Sequence, residues 1–513
     1  MNRLQHVSDM AIKLCAANLP EIGRSLAVPN YTHSQLSPGI LHFGVGNFHR
    51  AHLAVYLDDL FNKGLNHDWA LVGAGVMPSD EKMRQILVAQ DFLTTVVEQD
   101  NELSSAHITA PLIDFIPPAD KAAMITRLAN PEIRIVSLTI TEGGYFIDPA
   151  TQKFDPKNVH IVADSKNLVA PSTVFGFIVA GLAARRAKGT PPFTVMSCDN
   201  VPHNGAVTRN AVVGLAELAD PELAKWISAK VAFPNAMVDR ITPATSDRER
   251  KICAETFGVD DQWPIFCEEF KQWVLEDNFT CGRPDFEKVG VQFVEDVTPF
   301  EYMKIRILNG GHAVLAYAGG LLDVHYVHDA MEHPLVHAFF DKVEREEIIP
   351  TVMPVPGTNI QDYYKLIERR FANPKIADTI RRLALDGSNR QPKFIVPPMA
   401  DRLRAGQSIK GLALESALWC RYCFGTTDSG RVIEPNDPNW GRLQTAARAA
   451  KTDPSAWLAM DDIYGDVGKH PVMQKEFDVA LHSLWSLGTV ETLSAYVKDY
   501  KKSLSSRRGQ KTI

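Results

Sequence analysis

The sequence lacks the features that mark membrane, nucleic-acid-binding and disulfide-stabilised proteins. No run of about 18 apolar residues occurs, so no segment is predicted to span a membrane. Lys and Arg number 54 against 61 Asp and Glu, and this net charge of -7 argues against a nucleic-acid partner. The seven cysteines are scattered, and no small disulfide framework fits them in a chain of 513 residues. We therefore expect a cytoplasmic protein.

What remains is an ordinary globular composition, with 45% hydrophobic and 22% charged residues. A chain of this length exceeds one hydrophobic core, so more than one domain is expected. Strand-like and helical segments alternate up to about residue 295, and helical segments dominate after it. We predict an α/β, Rossmann-like N-terminal domain at 1–295 and a mainly α-helical C-terminal domain at 296–513.

The predicted elements follow from apolar spacing. The segments that read as strands are 37–46, 68–76, 133–140 and 193–198. The segments that read as helices are 51–64, 303–322, 333–350, 373–385 and 411–425. Strands that alternate with helices predict a mostly parallel sheet that helices cover.

A glycine loop follows the first of these strands. Its residues are Gly44, Val45, Gly46, Asn47 and Phe48, and they open a helix. The first glycine permits a tight turn, the second lets a pyrophosphate approach the backbone, and the helix N-terminus offers N–H donors. The pattern predicts a dinucleotide site, although a purely structural turn is the other interpretation.

An acidic residue is expected at the end of the second strand, where it would bind the ribose hydroxyls. Asp80 is the nearest candidate, although it lies further along the chain than the usual spacing. The other interpretation is a helix N-cap, which Ser79 or Asp80 would serve equally well.

The segment around Lys304 concentrates polar side chains within an apolar helix. At about 100° per residue, Glu301, Lys304, Asn309 and His312 share one broad face. A substrate with several hydroxyl groups would satisfy these groups, because unpaired burial costs roughly 1–3 kcal/mol each. The pair Gly310-Gly311 indicates that something packs close to the helix backbone. A buried amphipathic helix whose polar groups are already satisfied fits the pattern equally well.

Several motifs together resemble those of one family. Lys304-x4-Asn309-x2-His312 resembles the active-site signature of the polyol-specific long-chain dehydrogenases, the mannitol dehydrogenase family. Further segments that look like family motifs, in the family's order, are GVGNFHRAH at 44–52, TEGGY at 141–145, CDN at 198–200 and VDRITP at 238–243. The resemblance extends from about residue 38 to 480.

The resemblance implies roles for individual residues. Lys304 would be the general base, and burial has to lower its pKa for the amine to accept a proton. Asn200 and Asn309 would donate hydrogen bonds to the developing alkoxide. His312 would bind the substrate, and Glu301 would gate the exit of the proton. Glu142 would lie near the route by which the proton leaves, and Asp239 would support the site.

Two arginines complete the predicted site. Arg382 and Arg390 are candidates for contacts further along the polyol, and both are equally well explained as surface charges. The resemblance implies NAD as cofactor, a small polyol or ketose as partner, and a monomer. The implied reaction is the reversible oxidation of a sugar alcohol to a ketose, with D-mannitol and D-fructose as the expected pair.

No metal ion is expected. Zinc-dependent polyol dehydrogenases need a Cys/His/Glu ligand set. The CxxC pair Cys420 and Cys423 lies in an apolar helical run and is predicted to pack in the core, and no motif completes a site with His325, His328 and His333. None of the twelve tyrosines has a lysine four residues later, which excludes the short-chain dehydrogenase arrangement.

The sequence is also compatible with other functions. D-arabinitol dehydrogenases and fructuronate or tagaturonate reductases belong to the same broad family. A uronate carries a carboxylate, for which Arg382 or Arg390 could supply the positive partner. A non-catalytic sugar or nucleotide sensor is a different class, but such a protein has no need of a catalytic lysine.

Overall fold

The chain folds as two units, Met1–Thr298 and Pro299–Ile513. The computed structural model describes residues 11–148 and 153–509. The first unit alternates strands and helices, and the second is mainly helical, which confirms the predicted fold class. Within the described ranges no helix is both long and apolar enough to cross a membrane.

Thirteen strands lie in the described part of the first unit. In chain order they are β1 Ile12–Lys13, β2 Pro38–Phe43, β3 Ala70–Ala74, β4 Thr94–Gln99, β5 Ser104–Thr109, β6 Leu112–Phe115, β7 Ile135–Leu138, β8 Thr194–Ser197, β9 Ala236–Asp239, β10 Val259–Asp260, β11 Ile265–Glu268, β12 Gln272–Glu276 and β13 Gln292–Val294. The four predicted strands correspond to β2, β3, β7 and β8.

The helices begin in the first unit. They are α1 Leu19–Ile22, α2 Asn47–Ala51, α3 Leu53–Asn62, α4 Pro78–Ala89, α5 Lys121–Ala129, α6 Val159–Lys166, α7 Val174–Lys188, α8 Asn204–Ala219, α9 Pro221–Lys230 and α10 Asp247–Phe257. From residue 298 onward they are α11 Thr298–Met303, α12 Gly310–Leu321, α13 Val327–Glu332, α14 Pro334–Val343, α15 Ile360–Phe371, α16 Ile380–Leu383, α17 Gly387–Phe394, α18 Val396–Arg404, α19 Lys410–Cys423, α20 Trp440–Ala450, α21 Ser455–Leu458, α22 Asp461–Lys469 and α23 Pro471–Gly509.

The central sheet has five parallel strands in the order β6-β3-β2-β7-β8. The chain moves outward from β2 through β3 to β6 and then returns to build β7 and β8 on the other side. The strand order therefore reverses between β2 and β7. In open α/β sheets, ligands bind outside the carboxyl ends of the strands at this reversal.

Both faces of the central sheet are buried. Ile40 and Leu71 point into one apolar cluster, whereas Leu41 and Val72 point into the other. Such double burial explains why these strands read as nearly continuous apolar runs in the sequence. The other described strands form three smaller sheets that were not predicted, β11-β4-β5, β13-β12-β9 and β1-β10.

The second unit is built around α12, which is apolar and almost entirely buried. It packs against α14, α16 and α19. Two segments adopt the wider π-helical turn, Lys304–Asn309 directly before α12 and Glu344–Ile348 directly after α14. Such π segments are rare in proteins, and those that occur are often found at functional sites.

The predicted helix at 373–385 is wrong over its first half, because only α16 is helical there. Pro374 restricts the residue before it, and Ala377 has a positive φ of 50° that ends any regular turn. Thr379 then caps α16, since its hydroxyl accepts a hydrogen bond from the backbone N–H of Arg382.

Candidate active site

The glycine loop lies at the carboxyl end of β2, at the strand reversal. Gly44 has φ +91°, and a Cβ atom there would lie 2.1 Å from the carbonyl oxygen of Thr139. Only glycine fits this turn. A Cβ at Gly46 would meet nothing closer than the Gly44 carbonyl oxygen at 3.8 Å, and Gly46 is exposed whereas Val45 is buried. The backbone at Gly46 is therefore open to an approaching ligand, as a pyrophosphate requires.

Asn47 fixes the loop to the chain around residues 243–263. Its amide nitrogen donates to the carbonyl oxygen of Pro243 at 2.9 Å and to Oγ1 of Thr245 at 3.0 Å. Its amide oxygen accepts from Nε1 of Trp263 at 2.9 Å. Phe48 is half-buried and stacks on His52 with ring centroids 4.9 Å apart. Asn47 is thus an anchor of the loop.

Two buried, neutral histidines, His42 and His49, pack beside the glycine loop. The ring nitrogens of His42 pair with Oγ of Ser137 at 2.8 Å and Oγ1 of Thr139 at 2.9 Å. His42 also stacks on His49, with ring centroids 3.6 Å apart. Burial lowers the pKa of His42 to about 3, and burial together with the neighbouring His42 lowers the pKa of His49 well below its usual value.

Asp80 does not end the second strand, which stops at Ala74. It lies in the first turn of α4, and its Oδ2 accepts from the backbone N–H groups of Val76 and Met77, both at 2.9 Å. The carboxylate therefore folds back onto the loop after β3. This is a capping contact, and it keeps Asp80 at the carboxyl edge of the sheet.

Asp199 joins the loops that follow β7 and β8. Its two carboxylate oxygens accept from the backbone N–H groups of Ile140 at 3.0 Å and Thr141 at 2.8 Å. The hydroxyl of buried Tyr145 donates to the same carboxylate at 2.7 Å. Burial raises the pKa of Asp199, while these hydrogen bonds oppose the shift. Asp199 therefore sets where the neighbouring Asn200 lies.

Glu142 and Asn200 are both exposed on these loops, whereas Asp239 is buried at the end of β9. Thr141, directly before Glu142, has φ +64° and ψ +164°. A β-branched residue in this region is strained, and such strain clusters at functional sites. Of the predicted residues of the first unit, Glu142 and Asn200 thus follow β7 and β8, whereas Asp239 is the last residue of β9.

The second unit carries the predicted base. Glu301 and Lys304 are buried, with 6% and 7% exposure, and Asn309 and His312 are half-buried. The prediction of one continuous α-helix is wrong, because Lys304–Asn309 is π-helical. Hydrogen bonds five residues apart widen the turn, so the angles calculated for an α-helix do not apply to Asn309 and His312.

His312 lies among four cationic groups. Burial lowers its pKa well below the usual value, and Arg382, Arg370, Arg390 and Lys304 lower it further by their charge. The imidazole is therefore neutral near pH 7 and can both donate and accept a hydrogen bond. The structure thus brings Lys304, His312 and both predicted arginines together.

Both predicted arginines already have partners. Arg382 is exposed and forms a bidentate ion pair with Asp378. Nη1 of Arg390 donates to the carbonyl oxygens of Arg382 at 3.4 Å and Leu383 at 3.1 Å. Arg382 therefore already has a carboxylate partner, whereas Nη1 of Arg390 contacts neutral backbone carbonyls.

The structure offers no candidate metal cluster among residues 11–148 and 153–509. Cys420 and Cys423 are buried free cysteines of α19, as predicted. Nδ1 of His333 accepts from the backbone N–H of Val336 and caps α14.

Sequence reasoning missed three contributors. Asp199 and Tyr145 lie inside the CDN and TEGGY motifs, so those motifs already contained the signal. Arg370 lies near the end of α15 and belongs to no motif. It is buried, and its positive charge lowers the pKa of His312.

Two family models match the chain. The model of the mannitol dehydrogenase Rossmann domain matches residues 38–288, and that of the mannitol dehydrogenase C-terminal domain matches residues 296–485. Among curated proteins, the mannitol 2-dehydrogenase of Cereibacter sphaeroides is 59% identical over 475 residues, which is 92% of this chain and 99% of that protein. The mannitol 2-dehydrogenase of Aspergillus terreus is 42% identical, over 95% of this chain and 99% of that protein.

Two solved structures are similar over almost the whole chain. The ternary complex of Pseudomonas fluorescens mannitol 2-dehydrogenase with NAD and D-mannitol superposes with a TM-score of 0.87 at 43% identity, covering 95% of this chain and 100% of that one. D-sorbitol dehydrogenase in its substrate-free form gives a TM-score of 0.85 at 35% identity, covering 94% and 100%.

Proposed function

Because the chain belongs to the mannitol dehydrogenase family, we propose that it oxidises D-mannitol to D-fructose with NAD and without a metal ion, with Lys304 as the general base. The observation that carries the proposal is the buried Lys304 on a π-turn. It lies close to the neutral imidazole of His312, which also lies close to Arg382 and Arg390. The relatives named mannitol 2-dehydrogenase support the choice of substrate.

The first unit, predicted as 1–295, would bind the dinucleotide. Its residues fit the group, because the turn at Gly44 excludes a side chain and Gly46 exposes its backbone at the strand reversal. Val45, Asn47 and Phe48 shape this loop, and Asp80 would accept bonds from the adenosine ribose. NAD supplies the acceptor for the hydride that leaves the alcohol carbon. The complex of the Pseudomonas fluorescens enzyme with NAD supports this assignment.

The second unit, predicted as 296–513, would supply the proton chemistry. For catalysis Lys304 must first lose its own proton; its amine would then accept the hydroxyl proton as the C–H bond breaks, so the oxygen develops negative charge only briefly. Asn309 and Asn200 donate hydrogen bonds to that oxygen. His312 binds the neighbouring hydroxyl, while Glu301 passes the proton onward.

The remaining residues have supporting roles in this proposal. Glu142 lies near the proton route, Asp239 supports the site, and Arg382 and Arg390 line the distal part of the polyol. The partner of the protein is therefore a small polyol or ketose. We further propose that the chain acts as a monomer in the cytoplasm.

The ion pair with Asp378 argues against Arg382 as the partner of a uronate carboxylate. A substrate carboxylate needs a dedicated positive partner, preferably a free bidentate guanidinium. Arg382 already pairs with Asp378, and Arg390 donates to backbone carbonyls. Neutral polyols fit this arrangement better, and D-arabinitol and D-sorbitol remain the nearest competitors.

A substrate panel tests the proposal. Initial rates of NADH formation are measured with D-mannitol, D-arabinitol and D-sorbitol, and rates of NADH consumption with D-fructose and D-fructuronate. We expect the highest kcat/KM for D-mannitol and D-fructose. A preference for fructuronate would make the protein a uronate reductase, and no turnover with any compound would favour a sensor.

A further inference from the structure

A buried acid that the mechanism does not use lies behind the Lys304 segment. Glu344 begins the π-helical segment Glu344–Ile348 and has 0% exposure. Neither of its carboxyl oxygens makes a hydrogen bond to any part of the chain that the structure describes. A buried polar group left in this state costs roughly 1–3 kcal/mol, so its presence needs an explanation.

The surroundings of Glu344 favour the neutral acid. Burial raises its pKa well above the usual value, and the nearby carboxylates Asp341 and Glu368 raise it further. Arg345 opposes the shift, but it is already paired with Asp341. The carboxyl group therefore stays protonated near neutral pH and packs as an uncharged side chain.

The space beside Gly311 relates this side chain to the predicted polyol-binding imidazole. A Cβ of Gly311 would lie 2.9 Å from the ring of Phe340 and 3.0 Å from Oε1 of Glu344, so the absent side chain makes room for both. The same space is bounded by the ring of Phe371, 3.3 Å from that point. Phe371 in turn stacks on His312, with ring centroids 4.5 Å apart and planes at 23°.

We infer that Glu344 is a positioning residue, which holds the backbone at Gly311 and the ring of Phe371 so that His312 keeps the orientation that binds the polyol. This inference rests on the proposed function. Glu344 would thereby affect the affinity for the polyol without contacting the polyol itself. Since His312 binds a hydroxyl beside the reacting one, a shift in this support changes KM for the polyol more than kcat.

Steady-state kinetics of Glu344→Ala test the inference. The truncation leaves a cavity beside Gly311 and frees Phe371, so KM for D-mannitol should rise about tenfold or more, because small misplacements of binding groups have large effects. The kcat and the KM for NAD should change less than about twofold. Glu344→Gln keeps the size and neutrality of the side chain, and its KM should stay within about twofold of wild type.

Val343→Ala is the matched control. Val343 is the neighbouring buried residue, but it packs toward Gly411 on α19. This variant should lose comparable thermal stability and keep the wild-type KM. If Glu344→Ala does not fold, Glu344→Asp withdraws the carboxyl by one methylene and carries the same expectation as Glu344→Ala.

An unchanged KM in the truncated variants would overturn the inference, and so would a KM in Glu344→Gln as high as in Glu344→Ala. A raised KM in Val343→Ala equal to that of Glu344→Ala would reduce the role of Glu344 to general stability and also overturn it. Failure of the proposed function is seen separately, because the wild-type protein would then turn over no polyol.

Discussion

Asp80 has an observed contact in the first turn of α4 and a proposed role at the cofactor. Its carboxylate caps the loop at Val76 and Met77, and its position on the carboxyl edge of the sheet leaves it where a ribose would be held. The predicted N-cap at Ser79 or Asp80 is wrong, because Met77 is the N-cap and Asp80 is the third residue of the helix. The ribose role stays a prediction. A capping role and a ribose-binding role predict different effects of an Asp80 substitution on the choice between NAD and NADP.

We predict that Asp80→Ala weakens the use of NAD and improves that of NADP. A carboxylate near the 2′-position repels a phosphate by about 1–3 kcal/mol, which corresponds to roughly ten- to a hundredfold in discrimination. The ratio of kcat/KM values for the two cofactors measures the effect. Asp80→Asn, which keeps part of the capping contact, is the control. Equal loss with both cofactors would identify Asp80 as a cap alone.

At the scale of elements, the two stacked histidines beside the glycine loop make the stability of the folded protein sensitive to acid. The pKa of His42 is lowered to about 3 in the folded protein, whereas an unfolded histidine titrates near its ordinary value. Below about pH 6.5 the unfolded chain therefore binds a proton that the folded chain does not, and stability falls with pH.

We predict that His42 alone contributes a loss of about 2 kcal/mol in the free energy of unfolding between pH 6.5 and pH 5. Urea denaturation at several pH values measures the total loss. His49→Phe removes the second buried imidazole, whose ring nitrogens make no hydrogen bond within the described residues, so this variant should lose less stability over the same range. An identical pH dependence in both proteins would contradict this account.

The close packing of α12 leads to a second prediction for an element. A Cβ at Gly311 would lie 2.9 Å from Phe340 and 3.0 Å from Glu344, so Gly311→Ala should destabilise the protein by about 1–3 kcal/mol despite the better helix propensity of alanine. Nothing lies within 4 Å of a Cβ at Gly441 in α20. Gly441→Ala should therefore leave the urea midpoint unchanged or raise it.

Elements with a strong apolar pattern could be predicted from the sequence. The strands β2, β3, β7 and β8 were found because they are buried on both faces. The close packing predicted at the double glycine of α12 is confirmed at Gly311 but not at Gly310, where a Cβ would have ordinary contacts. The π-turn at Lys304–Asn309 could not be predicted, because its residues are ordinary helix formers and only packing selects the wider turn.

The site divides in the same way. Residues inside motifs, such as Asp199, could have been found from the CDN pattern, because its acid follows a buried strand. Arg370 could not, since a cation at the end of an amphipathic helix looks like a surface charge in the sequence. Its burial at 7% exposure depends on tertiary packing alone.

At the scale of the whole molecule, the proposed chemistry uses side chains and the dinucleotide without a metal ion. Prolonged treatment with a strong chelator should therefore leave kcat and KM for D-mannitol unchanged. The control is a zinc-dependent alcohol dehydrogenase treated in parallel, which should lose activity. Loss of activity that returns on addition of zinc would refute the proposed mechanism.

We propose above all that Lys304 abstracts the proton and that a different unit of the chain binds NAD. NADH formation from D-mannitol by Lys304→Ala, measured together with NADH binding by fluorescence titration, tests it most directly. We predict a fall in kcat of about a hundredfold or more with an unchanged Kd for NADH, and partial recovery with small primary amines. A variant that keeps more than about a tenth of the wild-type kcat would contradict the account, because general-base catalysis contributes more than this.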